Sequence, residues 1–84
     1  MISPTIHLNG TSREQLVREY RELQAAYYRV IEAEVDLTVH GRDYYPQGEH
    51  AYRQARWAYL SRTSAARRAY EDVSAIVDLL ETTP

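Results

Sequence analysis

Helix-breaking residues are confined to short segments of this 84-residue chain, and no other feature constrains the fold as strongly. Pro4 and Gly10 interrupt the beginning of the chain, and Gly41, Pro46 and Gly48 cluster near its middle. The long stretches on either side of that cluster lack both residue types, which are the least compatible with a helix interior. The sequence therefore predicts a single domain with four consecutive segments: an arm over residues 1–10, a helix over 11–40, a loop over 41–48 and a second helix over 49–81.

Both predicted helices carry core-type residues at alternating spacings of three and four, a pattern typical of helices that pack on each other. The seam of the first helix comprises Leu16, Tyr20, Leu23, Tyr27, Val30, Glu34 and Leu37. The seam of the second comprises Tyr52, Ala55, Tyr59, Arg62, Ala66, Ala69, Val73, Ile76 and Leu80. A short loop between two such helices makes them antiparallel neighbours, so we predict an all-α fold, a long antiparallel two-helix hairpin with a short extended N-terminal arm.

The ends of the first helix also carry sequence signals. Thr11 and Glu14 have the spacing of a capping box, in which the hydroxyl and the carboxylate each accept a backbone N–H. Gly41 is typical of the residue that follows a helix C-terminus. In the arm, Ile6 and Leu8 alternate with polar residues, and we expect this apolar pair to hold the arm against a helix.

Each seam contains one charged residue, Glu34 in the first helix and Arg62 in the second. Counting inward from the loop places Glu34 near Ala55, so we do not expect it to meet Arg62 directly. The same count places Arg62 near the ring of Tyr27, where a cation–π contact is favourable. Two interpretations of these charged residues remain open: they set the register of the two helices, or they form walls of a polar pocket.

Apolar residues also lie outside both seams: Val17, Ile31 and Val35 on the first helix, and Trp57, Leu60, Val77 and Leu79 on the second. A lone hairpin of this size has too thin a core to offset its chain entropy. We therefore predict a homo-oligomeric helical bundle, in which the chain is its own partner. Trp57 is expected to be buried between subunits, because tryptophan is enriched at interfaces.

Composition indicates what such a bundle binds. The chain has eight tyrosines and ten arginines but no phenylalanine and no lysine. Tyrosine offers a flat apolar face with one hydrogen-bonding tip, and arginine offers a flat cation that stacks on rings and binds phosphates. Together they suit a planar anion such as a nucleotide, or a hydrated interface between helices. A net charge of −2 argues against duplex DNA as a partner, since binding it favours a clear basic excess.

The loop is one candidate ligand-binding segment. It contains a guanidinium, a carboxylate, two adjacent rings and an amide, contributed by Arg42, Asp43, Tyr44, Tyr45 and Gln47. Loops on rigid scaffolds often carry binding residues. The alternative is that the two tyrosine rings cap the open end of the hairpin core, while Asp43 or Arg42 caps a helix terminus.

The start of the first helix is a second candidate. Hydroxyl, amide and guanidinium groups converge there with free backbone N–H groups, which favours phosphate; the residues are Asn9, Thr11, Ser12 and Arg13. The alternative is plain helix capping. Arm and loop lie at opposite ends of one hairpin, so a pocket made from both requires an antiparallel oligomer. Tyr28, outside the seam, is a further candidate for contact with a ligand or partner.

Nothing in the sequence indicates catalysis. The three histidines, His7, His40 and His50, lack the spacing of known metal-ligand motifs, and no serine has a neighbouring base that would activate it. Without cysteine, a thiolate metal site is excluded. We predict that the protein is not an enzyme and carries no metal or cofactor. No apolar run is long enough to span a membrane, and the N-terminus lacks signal-peptide character, so we expect a cytosolic protein without a membrane partner.

Two segments, residues 7–12 (HLNGTS) and 41–48 (GRDYYPQG), resemble a family of small phage-encoded helical proteins that carry both patterns around two helices. The resemblance covers residues 6 to about 80 and implies a phage protein made in the host cytoplasm. Small helical phage proteins without enzyme motifs include many counter-defence factors. By that analogy we expect a non-enzymatic protein that sequesters a nucleotide-type immune signal, a cyclic oligonucleotide or cyclic ADP-ribose derivative, in pockets formed on oligomerisation.

Two other functions remain open at this point. The surface rich in Tyr, Trp and Arg is also typical of binding hot spots, so the alternative is an inhibitor that binds a host defence protein. A third possibility is a structural phage component, or a single-strand nucleic-acid binder that stacks bases on tyrosine.

Overall fold

The computed structural model describes residues 1–83, and it confirms an all-helical hairpin. Helix α1 spans Arg13–Asp36 and helix α2 spans Ala51–Thr82. Two short 3-10 turns, Gly41–Asp43 and Tyr45–Gln47, lie in the connection between them, and residues 1–83 contain no strand. The helices pack against each other in a rod of 61 × 19 × 18 Å.

Helix α1 begins one residue later than its predicted cap. Ser12 is the N-cap, with extended backbone angles (φ −64°, ψ 153°), and its hydroxyl accepts the backbone N–H of Gln15 at 3.2 Å. The predicted capping box between Thr11 and Glu14 is therefore wrong. Ser12 satisfies the same kind of exposed N–H group, so the short hydroxyl side chain still determines where the helix starts.

Helix α1 also ends earlier than the predicted residue 40. Its C-cap is Leu37, whose backbone is extended and whose N–H donates to the Glu34 carbonyl at 3.2 Å. The next two residues, Thr38 and Val39, are β-branched and have reduced helix propensity. Gly41 consequently begins a 3-10 turn instead of following a helix end, and the connection covers residues 37–50.

This longer connection shifts the register between the helices. Four side-chain contacts define the pairing: Glu34 with Arg62, Tyr28 with Tyr70, Gln24 with Ser74, and Arg21 with Glu81. The predicted pairing of Glu34 with Ala55, and of Arg62 with Tyr27, is therefore wrong. Because α1 ends close to Arg62, the first turns of α2 extend beyond it. The connection covers them, with the Tyr44 ring centroid 6.5 Å from that of Tyr52.

The buried core lies at the other end of the rod, near the termini. Its members are Val73, Ile76, Val77 and Leu80, all in the last turns of α2. Val77, which the sequence placed outside the seam, is only 2% exposed. Ile6 of the arm lines a small cleft with Leu79 and Leu80, whereas Leu8 is almost fully exposed. The expectation that both arm residues pack is thus correct for Ile6 and wrong for Leu8.

Helix α1 is rotated relative to the predicted seam. Leu16, Tyr20, Tyr27 and Glu34 are partly buried as expected, and Val17, Gln24 and Ile31, which lie outside the predicted seam, are partly buried too. The other predicted members are more exposed: Leu23 by 43%, Val30 by 46% and Leu37 by 51%. We refer to Leu16, Leu23, Val30 and Leu37 as the open row, because these residues follow one line along α1; Leu16 is partly buried and the other three are exposed.

Candidate functional site

The connection is ordered by its own backbone. The Tyr44 N–H donates to the Gly41 carbonyl at 3.0 Å, and the Gly48 N–H donates to the Tyr45 carbonyl at 3.1 Å. Gly48 has φ 114°, a left-handed conformation that side chains rarely adopt. These bonds and Pro46 hold the loop side chains on a defined backbone at one end of the rod.

The two loop tyrosines have different environments. Tyr44 is partly buried against Tyr52, as the core-capping alternative predicts, while Tyr45 is exposed. Arg42, Asp43 and Gln47 are also exposed, and their side chains make no hydrogen bond or ion pair with any part of residues 1–83. Of the predicted loop site, Tyr45 and these three polar residues are therefore exposed, and Tyr44 is partly buried against Tyr52.

The predicted N-terminal site lies at the opposite end of the molecule. Ser12 uses its hydroxyl to cap α1, as the capping alternative predicts. Asn9 and Thr11 are exposed, and Arg13 is partly buried. Gly10 lies so close to the His7 imidazole that a Cβ there would come within 2.7 Å of Nε2. Within one chain, the N-terminal and loop residues do not meet, as expected for a hairpin.

A groove between the helices brings tyrosine, arginine and amide groups together in a single chain. The exposed ring of Tyr28 lies 5.8 Å from that of Tyr70, centroid to centroid, at an interplanar angle of 52°. The groove has a volume of about 420 Å³ and is lined by Arg21, Gln24, Ala25, Tyr28, Arg29 and Tyr70. Sequence reasoning identified Tyr28 but missed its neighbours, because Tyr70 joins it only through the observed register.

Polar contacts order the floor and one end of this groove. The Gln24 amide donates to the Ser74 hydroxyl at 3.0 Å, which leaves the amide oxygen of Gln24 as an acceptor. Arg21 pairs with Glu81, and its side chain remains 55% exposed. Arg21 therefore keeps N–H groups for a second anion, since a guanidinium has five of them.

The charged residues of the two seams meet outside the groove. Arg62 Nε donates to Glu34 Oε1 at 3.0 Å, where Glu34 is largely covered and Arg62 is half exposed. The other oxygen, Oε2 of Glu34, is buried without a hydrogen-bond partner in residues 1–83. The expected cation–π contact of Arg62 with Tyr27 is not formed. This ion pair fixes the register, in line with the alternative that both residues are structural.

A second exposed surface runs along the outer face of α2. Trp57 is 72% exposed and separates two shallow grooves. One, of about 630 Å³, is lined by His50, Arg53, Gln54, Trp57 and Ala58; the other, of about 270 Å³, is lined by Trp57, Leu60, Ser61, Ser64 and Arg68. Residues 50–70 contain no Asp or Glu, so this surface is locally basic.

Metal and membrane sites find no support in the described part of the chain. Residues 1–83 contain no cluster of three or more His, Cys, Asp or Glu side chains placed to bind a metal ion. Neither α1 nor α2 is apolar enough over its length to cross a membrane. No protein-family model, curated protein or solved structure matches this chain at a significant level.

Proposed function

We propose that the protein is a non-enzymatic binding protein that sequesters a planar, anionic ligand of the nucleotide class. The groove between Tyr28 and Tyr70 carries this proposal, because it joins one exposed and one partly buried ring to a guanidinium within one chain. Its volume of about 420 Å³ lies within the range of about 300–1,000 Å³ that is usual for small-molecule sites.

Each group in the groove has a role in such binding. A base stacks on the exposed Tyr28 ring, a contact that contributes roughly 1–3 kcal/mol in single-strand binding proteins. The free oxygen of Gln24 accepts a hydrogen bond from an exocyclic amine of the base. Arg21 supplies its remaining N–H groups to phosphate, a geometry that guanidinium groups favour. No imidazole or carboxylate lines the groove, so we assign it binding and no chemical step.

The biological role that we propose is phage counter-defence. The resemblance of residues 7–12 and 41–48 to phage-encoded proteins suggests action in the host cytoplasm. A cyclic oligonucleotide or cyclic ADP-ribose derivative has the planar base and the phosphates that the groove accommodates. Removing such an immune signal from solution needs affinity and copy number but no turnover, which agrees with a small helical protein.

Calorimetric titration with a panel of cyclic di- and trinucleotides and cyclic ADP-ribose isomers tests this proposal. We expect one ligand to bind, Tyr28→Ala to weaken its binding at least tenfold, corresponding to about 1.4 kcal/mol, and Tyr28→Phe to retain it. Trp57→Ala serves as a control, because Trp57 is also aromatic and exposed but lies outside the groove. Absence of heat across the whole panel, or equal binding by Tyr28→Ala, would contradict it.

A second candidate function is supported by the basic surface around Trp57. A tryptophan that is 72% exposed beside Arg53 and Arg68 combines two of the residue types that dominate binding hot spots. Under this alternative, the protein inhibits a host defence protein. A stoichiometric partner from host lysate that is lost with Trp57→Ala and retained with Tyr28→Ala would favour it over ligand sequestration.

A further inference from the structure

The open row of α1 has the spacing of a coiled-coil seam. Leu16, Leu23 and Val30 lie seven residues apart on the helix, and Leu37 continues the row at the C-cap. A shallow groove of about 280 Å³ runs beside its first two members. Residues at this spacing stay on one line along slightly supercoiled helices. The surface therefore fits a second helix lying alongside α1.

Two of the three intermediate positions of this row carry the small apolar residues that suit such a seam. Glu19, Ala26 and Ala33 each follow a member of the row by three residues, as the second core position of a heptad does. The two alanines are small, so a partner helix can approach closely at the centre of α1. Leucine and valine then fill the space on either side of that point.

The open row is self-complementary when a second copy of α1 lies antiparallel to it. In an antiparallel pair centred near Ala26, Leu23 lies opposite the partner's Val30, and Leu16 lies opposite the partner's Leu37. In the same register, Glu22 and the partner's Arg29 lie on the same edge of the row with an axial offset of two residues, about 3 Å, which their long side chains span, and two-fold symmetry repeats each of these pairs. Both charged residues lie at the edge of the row, where oppositely charged pairs select the partner and its direction.

We propose that two copies of the chain associate through the open row, antiparallel and about a two-fold axis near Ala26, to form a four-helix bundle. Charge complementarity between Glu22 and the partner's Arg29 identifies the occupant as a second copy. The thin core of one chain supports the same conclusion, because its four buried side chains, Val73, Ile76, Val77 and Leu80, all lie at one end. Covering the open row extends the apolar contact along the whole of α1.

This association would bring the two predicted ligand segments together. The register that pairs Leu16 with the partner's Leu37 places the start of α1 in one copy beside the end of α1 in the other. Exposed Asn9 and Thr11 of one copy then lie at the same end of the dimer as the partner's Arg42, where they can form a composite site. Two such composite sites would form at opposite ends of the dimer. Their use for a nucleotide rests on the function proposed above, whereas the association itself does not.

Sedimentation equilibrium of the full chain tests the interface directly. We expect the native protein to be dimeric and Leu23→Glu to be monomeric at the same concentration, because the change puts two carboxylates into the apolar seam. Val35→Glu is the matched control: Val35 lies on the same helix, is 57% exposed and falls outside the row. Circular dichroism shows whether Leu23→Glu keeps its helices. A monomeric native protein, or equal loss of dimer with Val35→Glu, overturns the proposal.

A charge exchange tests the pairing without disturbing the apolar row. Glu22→Arg alone and Arg29→Glu alone each place like charges opposite one another twice, and we expect roughly tenfold weaker dimerisation for either variant. The double variant E22R/R29E restores opposite charges and should recover the native dissociation constant. The two residues lie too far apart in α1 to pair within one chain, so rescue reports contact between copies. Additive weakening in the double variant contradicts the antiparallel register.

Disulfide trapping tests the direction of the helices, and the absence of native cysteine makes it simple to interpret. Leu16→Cys in one chain and Leu37→Cys in another, at positions that the register places opposite one another, should form a mixed disulfide on oxidation of the mixed proteins. Each variant alone should give little cross-link. Cross-linking of Leu16→Cys with itself would indicate a parallel pair and overturn the proposal. None of these measurements uses a nucleotide, so failure of the ligand proposal and failure of the dimer are distinguished.

Discussion

The two ends of the rod are built differently. At the end that holds the termini, Val77 and Leu80 are each 2% exposed, and the arm adds Ile6 beside them. At the loop end, the first turns of α2 extend past α1 and are covered on one side by the connection, through Tyr44 and Tyr52. Burial of apolar side chains is the dominant stabilising term in folding, so stability is concentrated at the terminal end.

The residues that stabilise the fold and the residues exposed for binding therefore lie at different ends of the rod. None of the residues in the connection or in the first half of α2 is buried, and Trp57 and Tyr45 are among the most exposed aromatics of residues 1–83. Regions with few buried contacts open locally at low free-energy cost. Substitutions at the loop end should therefore reduce the stability of the fold little, which suits a surface that contacts a ligand or partner.

Among variants that compare the two ends, replacing Leu80 should change the free energy of unfolding most. Leu80→Ala removes a side chain that is 2% exposed, and we expect the free energy of unfolding to fall by about 2–4 kcal/mol. Trp57→Ala is the counterpart in the exposed half and should change it by less than about 0.5 kcal/mol. Urea denaturation followed by circular dichroism measures both values. Equal losses would show that Trp57 is covered in solution and that the two ends are not energetically distinct.

Replacing Tyr44 should have a smaller and more local effect. Tyr44→Ala removes a partly buried ring that packs on Tyr52 at 6.5 Å, and such ring pairs contribute roughly 0.5–1.5 kcal/mol beyond area burial. We expect faster hydrogen exchange in the first turns of α2 and unchanged exchange around Val77. Tyr45→Ala, at an exposed neighbouring ring, is the control and should leave both regions unchanged. Faster hydrogen exchange in both regions would mean that Tyr44 contributes to the stability of the whole fold.

Replacing the N-cap of α1, at the terminal end, should have the smallest effect on stability. Ser12→Ala removes the hydroxyl that accepts the Gln15 N–H at 3.2 Å, and loss of an N-cap costs about 1 kcal/mol. Thr11→Ala, at the cap that the sequence indicated, should cost only a few tenths of that value. The two variants differ by one position, so thermal denaturation of both compares the caps directly. A larger loss for Thr11→Ala would show that the helix starts earlier in solution.

Local patterns in the sequence were sufficient for much of the fold. The segments free of glycine and proline contain both helices, and the predicted seam of α2 includes the buried Val73, Ile76 and Leu80. The end of α1 was not predicted, because Gly41 gave a stronger signal than the β-branched Thr38 and Val39 before it. Because of that error, the predicted register was displaced, and the ion pair of Glu34 with Arg62 was not predicted.

The candidate site was predictable only in part. Tyr28 stood out because it lies off the seam, and the loop residues stood out by composition. Arg21, Gln24 and Tyr70 gave no such signal, since each is an ordinary residue for an exposed or seam-adjacent helix position. Their convergence on Tyr28 depends on which turn of α2 faces which turn of α1.

By itself, the sequence determined that this protein forms two long helices in a hairpin, because helix propensity and heptad spacing act over a few neighbouring residues. Only the tertiary structure decided which side of α1 faces α2. Tyr20, Tyr27 and Glu34 belong to both possible seams, so local spacing cannot distinguish them. Contacts with distant residues, such as Gln24 with Ser74, select one seam and leave the open row of α1 at the surface.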